Sequence, residues 1–111
     1  MQSLIQQHWL IIGEIDAAYK VKLVVDEWGA WHRAGTEVDR SFLFGQMPTM
    51  RDVLITAPTL DTLHRHADKV AMANVAQLIN NLHGQLLAHQ DRFGATTNFY
   101  VFEMCKAHQG G

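Results

Sequence analysis

Val21-Lys22-Leu23-Val24-Val25-Asp26-Glu27-Trp28 decides the fold. Its centre, Leu23-Val24-Val25, is apolar without alternation and rich in β-branched residues. A strand buried on both faces of a parallel sheet has that pattern. Two acids and an aromatic then arrive at its C-terminal end. Parallel strands need long crossovers, usually helical, and the flanking sequence supplies them. Upstream, Leu4, His8, Ile11, Ile15 and Tyr19 follow the helical period over residues 3–19, with Ile5, Trp9 and Ile12 widening the stripe and Ser3 as a cap. Downstream, residues 49–67 return to that period through Met50, Val53, Leu54, Ala57, Leu60 and His64. Thr49 and Asp52 have the spacing of a capping pair. Pro58 is predicted to kink or split this helix, because it removes an amide donor and clashes one turn back.

Residues 69–76 read as a second buried strand, and 77–87 stay ambiguous between helix and strand. The stretch 91–98 reads as a turn. Residues 99–108 read as a helix capped by Thr97 or Asn98, ahead of a fraying Gln-Gly-Gly tail. Between strand and second helix lies a connection over residues 29–48. A loop of that length in a compact domain is usually functional, and its Trp31, Phe42 and Phe44 predict contact rather than free solvation. The order helix, strand, loop, helix, strand, loop, helix argues for an α/β fold built on a βαβ unit.

The 111 residues make one domain. With 48% hydrophobic and 18% charged residues the chain can bury a core, which rules out disorder. Nine Lys/Arg against eleven Asp/Glu leave a formal charge of −2, so no basic excess points to nucleic acid. Leu10-Ile11-Ile12 and the other apolar runs are far shorter than the roughly 20 residues of a membrane span. No signal peptide is expected, since His8, Glu14 and Asp16 interrupt the apolar N-terminal stretch. The single cysteine, Cys105, excludes an intrachain disulfide and a cysteine-built zinc site; a buried, inert thiol in a cytoplasmic setting fits.

Chemistry is best placed at Asp26-Glu27-Trp28-Gly29. Side chains alternate along a strand, so only one of the two acids can enter a given site. A carboxylate beside an aromatic ring suits sugar cleavage, the acid stabilising an oxocarbenium-like centre and the ring packing on the sugar. On the tetrapeptide alone, an acid that ends a strand and bonds a loop amide is the plainer reading. His64-Arg65-His66 with Asp68 would gather for zinc only if extended, and no metal site or cofactor is expected. His8 reads as a helix-face residue, His83 as a core or interface residue, and His32 as a solvated loop histidine or, in an assembly, an acid/base for Glu27.

The residues also carry a resemblance. Leu-Val-Val-Asp-Glu-Trp-Gly-Ala-Trp at 23–31 resembles the nucleophile segment of the α-L-arabinofuranosidases of glycoside hydrolase family 51. Thr49 to Leu54 resembles their Thr-Leu-Arg-Asp-Ala-Leu. Residues 65–77 resemble Arg-His-Ala-Asp-Arg-Val-Lys-Met-Ala-Asn-Ile-Ala-Gln, and 101–109 resemble Val-Phe-Glu-Met-Tyr-Lys-Val-His-Gln. The four blocks stand in the family's order across nearly all of the chain. The resemblance implies a retaining hydrolase on a (β/α)8 barrel, of which this chain matches only the last part. It implies Glu27 as nucleophile, Gln77 as a sugar-binding residue and Trp28 as a wall of the pocket. The family's Asn-Glu acid/base motif does not occur in this sequence.

A retaining mechanism needs two carboxyls about 5–5.5 Å apart, and a whole barrel needs roughly 250 residues. The expected fold is therefore α/β, a partial (β/α) barrel fragment with two or three strands and three or four helices, completed or rearranged by homo-oligomerisation. Glu37, Asp39 or Glu103 of a neighbouring copy would then be the second acid. An arabinofuranoside is the expected ligand, with neither nucleic acid nor membrane as partner. The alternatives are a non-catalytic oligomeric or sugar-binding relic and a repurposed ester hydrolase.

Overall fold

The computed structural model describes residues 1–33, 36 and 44–109. A helix α1 (Gln2–Ile15) leads into strand β1 (Leu23–Trp28), helix α2 (Met50–Arg65) and strand β2 (Val70–Val75). A hairpin of β3 (Leu86–His89) and β4 (Arg92–Ala95) follows, then helix α3 (Thr97–Cys105) and a 3-10 turn, Lys106–His108. β1 and β2 pair in parallel across the α2 crossover, as the apolar runs predict, but neither strand is buried on both faces: Val24 is 47% exposed and Met72 51%. β3 and β4 form a separate antiparallel pair.

Three expectations are corrected. The expected two or three strands are four among the described residues, because the stretch read as a turn at 91–98 contains β4. Gln90 turns the hairpin at φ 53, a left-handed position that the sequence fills with Gln-Asp rather than the Asn-Gly of a recognisable hairpin. α2 is not split at Pro58 but runs as one helix. Pro58 is exposed, and the carbonyl it deprives belongs to Leu54, which is exposed too. Nearby hydroxyls take other carbonyls of the same stretch, Thr59 Oγ1 bonding Ile55 O at 2.8 Å and Thr62 Oγ1 bonding Pro58 O at 2.7 Å. Finally, the cap of α3 is Thr96, one residue before the expected pair.

The core lies between the parallel pair, α2 and α3. Ile5, Trp28, Leu60, Leu63 and Val101 are buried, with Leu23, Val25, Val70, Ala73 and Phe102 packed against them. Trp28 stacks on Phe102 at 6.1 Å between ring centroids. α1 is different. It ends at Ile15, four residues before its expected end, and Tyr19 folds back to stack on Trp9 at 4.5 Å. Ile5 is its one buried residue, whereas Leu10 is 66% exposed and Ile15 89%. Leu4, Leu10, Ile11 and Ile15 of α1 thus remain exposed.

Candidate active site

The alternating pleat of β1 is broken where its acids lie. Val25 pairs with Ala73 and Trp28 with Val75, so three steps along β1 oppose two along β2. A bulge of this kind re-aims side chains. Here it leaves Asp26 and Glu27 both exposed and turns Trp28 inward. Glu27 reaches a cleft of about 360 Å³ walled by residues 27–31 of β1 and its following turn, with Phe44, Ala76 and Leu82 opposite. Trp31 packs on Phe44 at 5.0 Å, placing an exposed ring beside the carboxylate. Among the described lining residues Glu27 is the one carboxylate.

Trp28 belongs to the core and to the cleft wall at once. Gln77 is exposed, one residue beyond the lining residue Ala76, and accepts a hydrogen bond from Asn81 Nδ2. Glu103 sits on α3, where Lys106 pairs with it. Glu37, Asp39 and Phe42 lie outside the described residues.

Behind the cleft is a buried polar cluster that the sequence did not announce. Asp52 is 2% exposed. Its Oδ2 accepts bonds from Thr49 N at 2.7 Å and Thr49 Oγ1 at 3.1 Å, the expected cap of α2. Its Oδ1 lies 2.7 Å from His32 Nε2 and 3.4 Å from His83 Nε2. Burial opposes ionisation of Asp52, but the bonds from His32 and Thr49 outweigh it and hold the carboxyl below its usual range. Burial also pushes the His83 imidazole down; the Asp52 charge offsets this in part, while His32 and Arg51 add to it.

His83 packs under Gly29, where a Cβ would meet its ring at 3.5 Å, and Gly29 itself adopts φ +154, a conformation side chains rarely take. Gln46 ties down the chain after β1: its Oε1 accepts from His32 N at 3.1 Å and its Nε2 donates to His32 O at 3.3 Å. His32, expected in solvent or beside Glu27, is thus tied to α2 instead. His64 and His66 end α2 rather than an extended segment, and His66 Nδ1 lies 2.9 Å from Thr62 O, so the spacing considered for zinc is not formed. The three members of the cluster are separated by twenty residues or more, so no local spacing exposes them. The Thr49–Asp52 cap was the single legible trace.

The family profile described as the α-L-arabinofuranosidase C-terminal domain matches residues 26–111. An intracellular exo-α-L-arabinofuranosidase of Bacteroides ovatus is 32% identical over 98% of this chain and 21% of its own length. An intracellular exo-α-(1→5)-L-arabinofuranosidase of Halalkalibacterium halodurans is 35% identical over 54% of this chain and 13% of its own. The solved structure of the family 51 arabinofuranosidase from Xanthomonas axonopodis pv. citri superposes with a TM-score of 0.90 at 37% identity, covering 98% of this chain and 22% of that one. The chain thus spans about a fifth of the length of the relatives it matches end to end. With the profile matching most of the chain and a solved structure superposing on nearly all of it, the chain belongs to the α-L-arabinofuranosidase C-terminal domain family, as a short stretch of the glycoside hydrolase family 51 scaffold.

Proposed function

We propose that this chain is the nucleophile-bearing segment of a retaining α-L-arabinofuranoside hydrolase, and that it works only within an assembly that supplies the rest of a (β/α) barrel. The observation that carries this reading is Glu27, exposed at the C-terminal end of a parallel strand and opening into a cleft beside Trp31. Active-site residues of barrel enzymes occupy that end.

In the proposed reaction a Glu27 oxygen attacks the anomeric carbon and forms a glycosyl ester, while an acid outside this chain's cleft protonates the departing oxygen. Water then attacks the ester, the same acid now acting as base, and Glu27 is released as carboxylate. Trp28 and Gln77 would shape and contact the sugar. The uncovered apolar residues of α1 and the open edges of β1 and β2 give the assembly its driving force, and further copies of this chain are the proposed partners. The relatives named intracellular favour a cytoplasmic setting, and no helix of the described residues is long and apolar enough to cross a membrane.

The test joins sedimentation with hydrolysis of an aryl α-L-arabinofuranoside. Turnover is expected in the associated species and is expected to vanish on dilution to monomer and in Glu27→Gln. A second reading, a sugar-binding relic, is favoured by Glu27 being the one carboxylate among the described residues that line the cleft. Saturable arabinose binding without turnover would establish it in place of the first.

A further inference from the structure

We propose that His32 Nε2, Asp52 Oδ1 and His83 Nε2 form a zinc site that clamps together the turn after β1, the start of α2 and the turn after β2. The three donor atoms lie within 4.8 Å of one another. The proposal is independent of the hydrolase reading and departs from the sequence expectation of no metal.

Asn98 is fully buried, and its Nδ2 donates to the carbonyl of His83 at 3.2 Å. The reverse amide orientation would set two acceptors against each other, so Asn98 Oδ1 must face Thr56. Thr56 Oγ1, 3.1 Å away, therefore gives its one hydrogen to Asn98 Oδ1. Its remaining capacity is as an acceptor. His83 Nδ1, 3.2 Å from that hydroxyl, must then carry the hydrogen. In the neutral ring Nε2 is left as a bare lone pair. It is buried, has no hydrogen-bond partner, and lies 3.4 Å from a carboxylate oxygen of Asp52. A buried lone pair beside a carboxylate oxygen is an unmet demand for a cation between them.

The donor set selects the cation. Two imidazole nitrogens and one carboxylate oxygen suit zinc, with water as fourth ligand. Zinc–ligand bonds of roughly 2.0–2.1 Å at tetrahedral angles place donors about 3.3 Å apart, close to the 3.4 Å between Asp52 and His83. The 2.7 Å between Asp52 and His32 would have to open by about half an ångström, with the His32 proton moving to Nδ1. The supporting partners of a metal site are already in place. Thr56 holds His83 Nδ1–H, and Thr49 holds Asp52 Oδ2. Burial favours the neutral, metal-binding form of His83.

The experiment measures zinc in the full chain by mass spectrometry after zinc loading and dialysis, the affinity by competition with a chromophoric chelator, and the visible spectrum after cobalt substitution. One zinc per chain is expected, with tetrahedral cobalt bands. His32→Gln, at the most accessible ligand, should weaken zinc at least about 100-fold, and Thr56→Val about ten-fold. His64→Gln, remote from the cluster, should leave the affinity unchanged. Absence of stoichiometric zinc overturns the proposal, as does full zinc affinity in His32→Gln. A third contrary result is a His83 ring with both nitrogens protonated in saturating zinc, by nitrogen-15 NMR, because the required cation would then be a proton.

Discussion

Glu27 and Asp52 are carboxylates on two sides of the same turn, and they live under opposite regimes. Glu27 stands exposed beyond a bulge, facing a cleft that no other described acid enters. Asp52 is sealed behind that cleft with both oxygens engaged. The chain thus supports the buried carboxylate from within itself and leaves the exposed one open to the cleft. A carboxylate kept for chemistry is expected to be dispensable for folding, and a carboxylate kept for folding is expected to be useless for chemistry.

The largest effect should fall on the first of these. In an active assembly Glu27→Gln is expected to cut turnover by roughly a thousand-fold or more with no change in the denaturation midpoint; a midpoint shift alongside intact turnover would reverse the assignment. Asp52→Ala should do the opposite. Removing one partner of a buried, bonded charge costs about 3 kcal/mol, read as a lowered urea midpoint, and the loss should exceed that of capping alone, about 1 kcal/mol. Thr56→Val keeps the shape but strips a hydroxyl from between His83 and Asn98. An expected loss of about 1–3 kcal/mol follows from the unsatisfied buried groups, again measured by urea unfolding.

The smallest effect belongs to a third carboxylate, Asp61, paired with Arg65 at 2.8 Å on the open face of α2. The hydrogen bond from Arg65 lowers its pKa. Whatever the pair adds is therefore present above the usual carboxylate value of 3.8 and fades as pH falls through the lowered one. Asp61→Asn should leave the midpoint at pH 7 almost unmoved, as exposed pairs do.

Legibility followed the range of the interactions. The β1–α2–β2 unit could be read because each element is an unbroken local pattern, and Thr49–Asp52 because a cap spans three residues. β3 and β4 escaped because each is four residues long. Phe93 of β4 is 69% exposed and the apolar residues of β3 are only half-buried, so the hairpin imprints little alternation on the sequence. Glu27 was legible through a resemblance carried by its neighbours, not through its chemistry. The cluster of His32, Asp52 and His83 was not legible at all, since three separate segments converge only after folding. Apolar periodicity also overstated α1, whose Ile11 and Ile15 follow the helical stripe yet remain in solvent. A pattern records which face wants burial; it does not say that the cover is near at hand.

The two-strand parallel sheet has a symmetry consequence. Its outer edges are different: one belongs to β1, the other to β2. Copies that add strand to strand in parallel must join unlike edges, head to tail, about a rotation axis running along the strands. Such growth gives a ring where the rotation closes and an open filament where it does not; a barrel of eight strands at two per copy would close at four. A twofold dimer whose axis crosses the strands would instead pair like edges in antiparallel, β1 with β1 or β2 with β2.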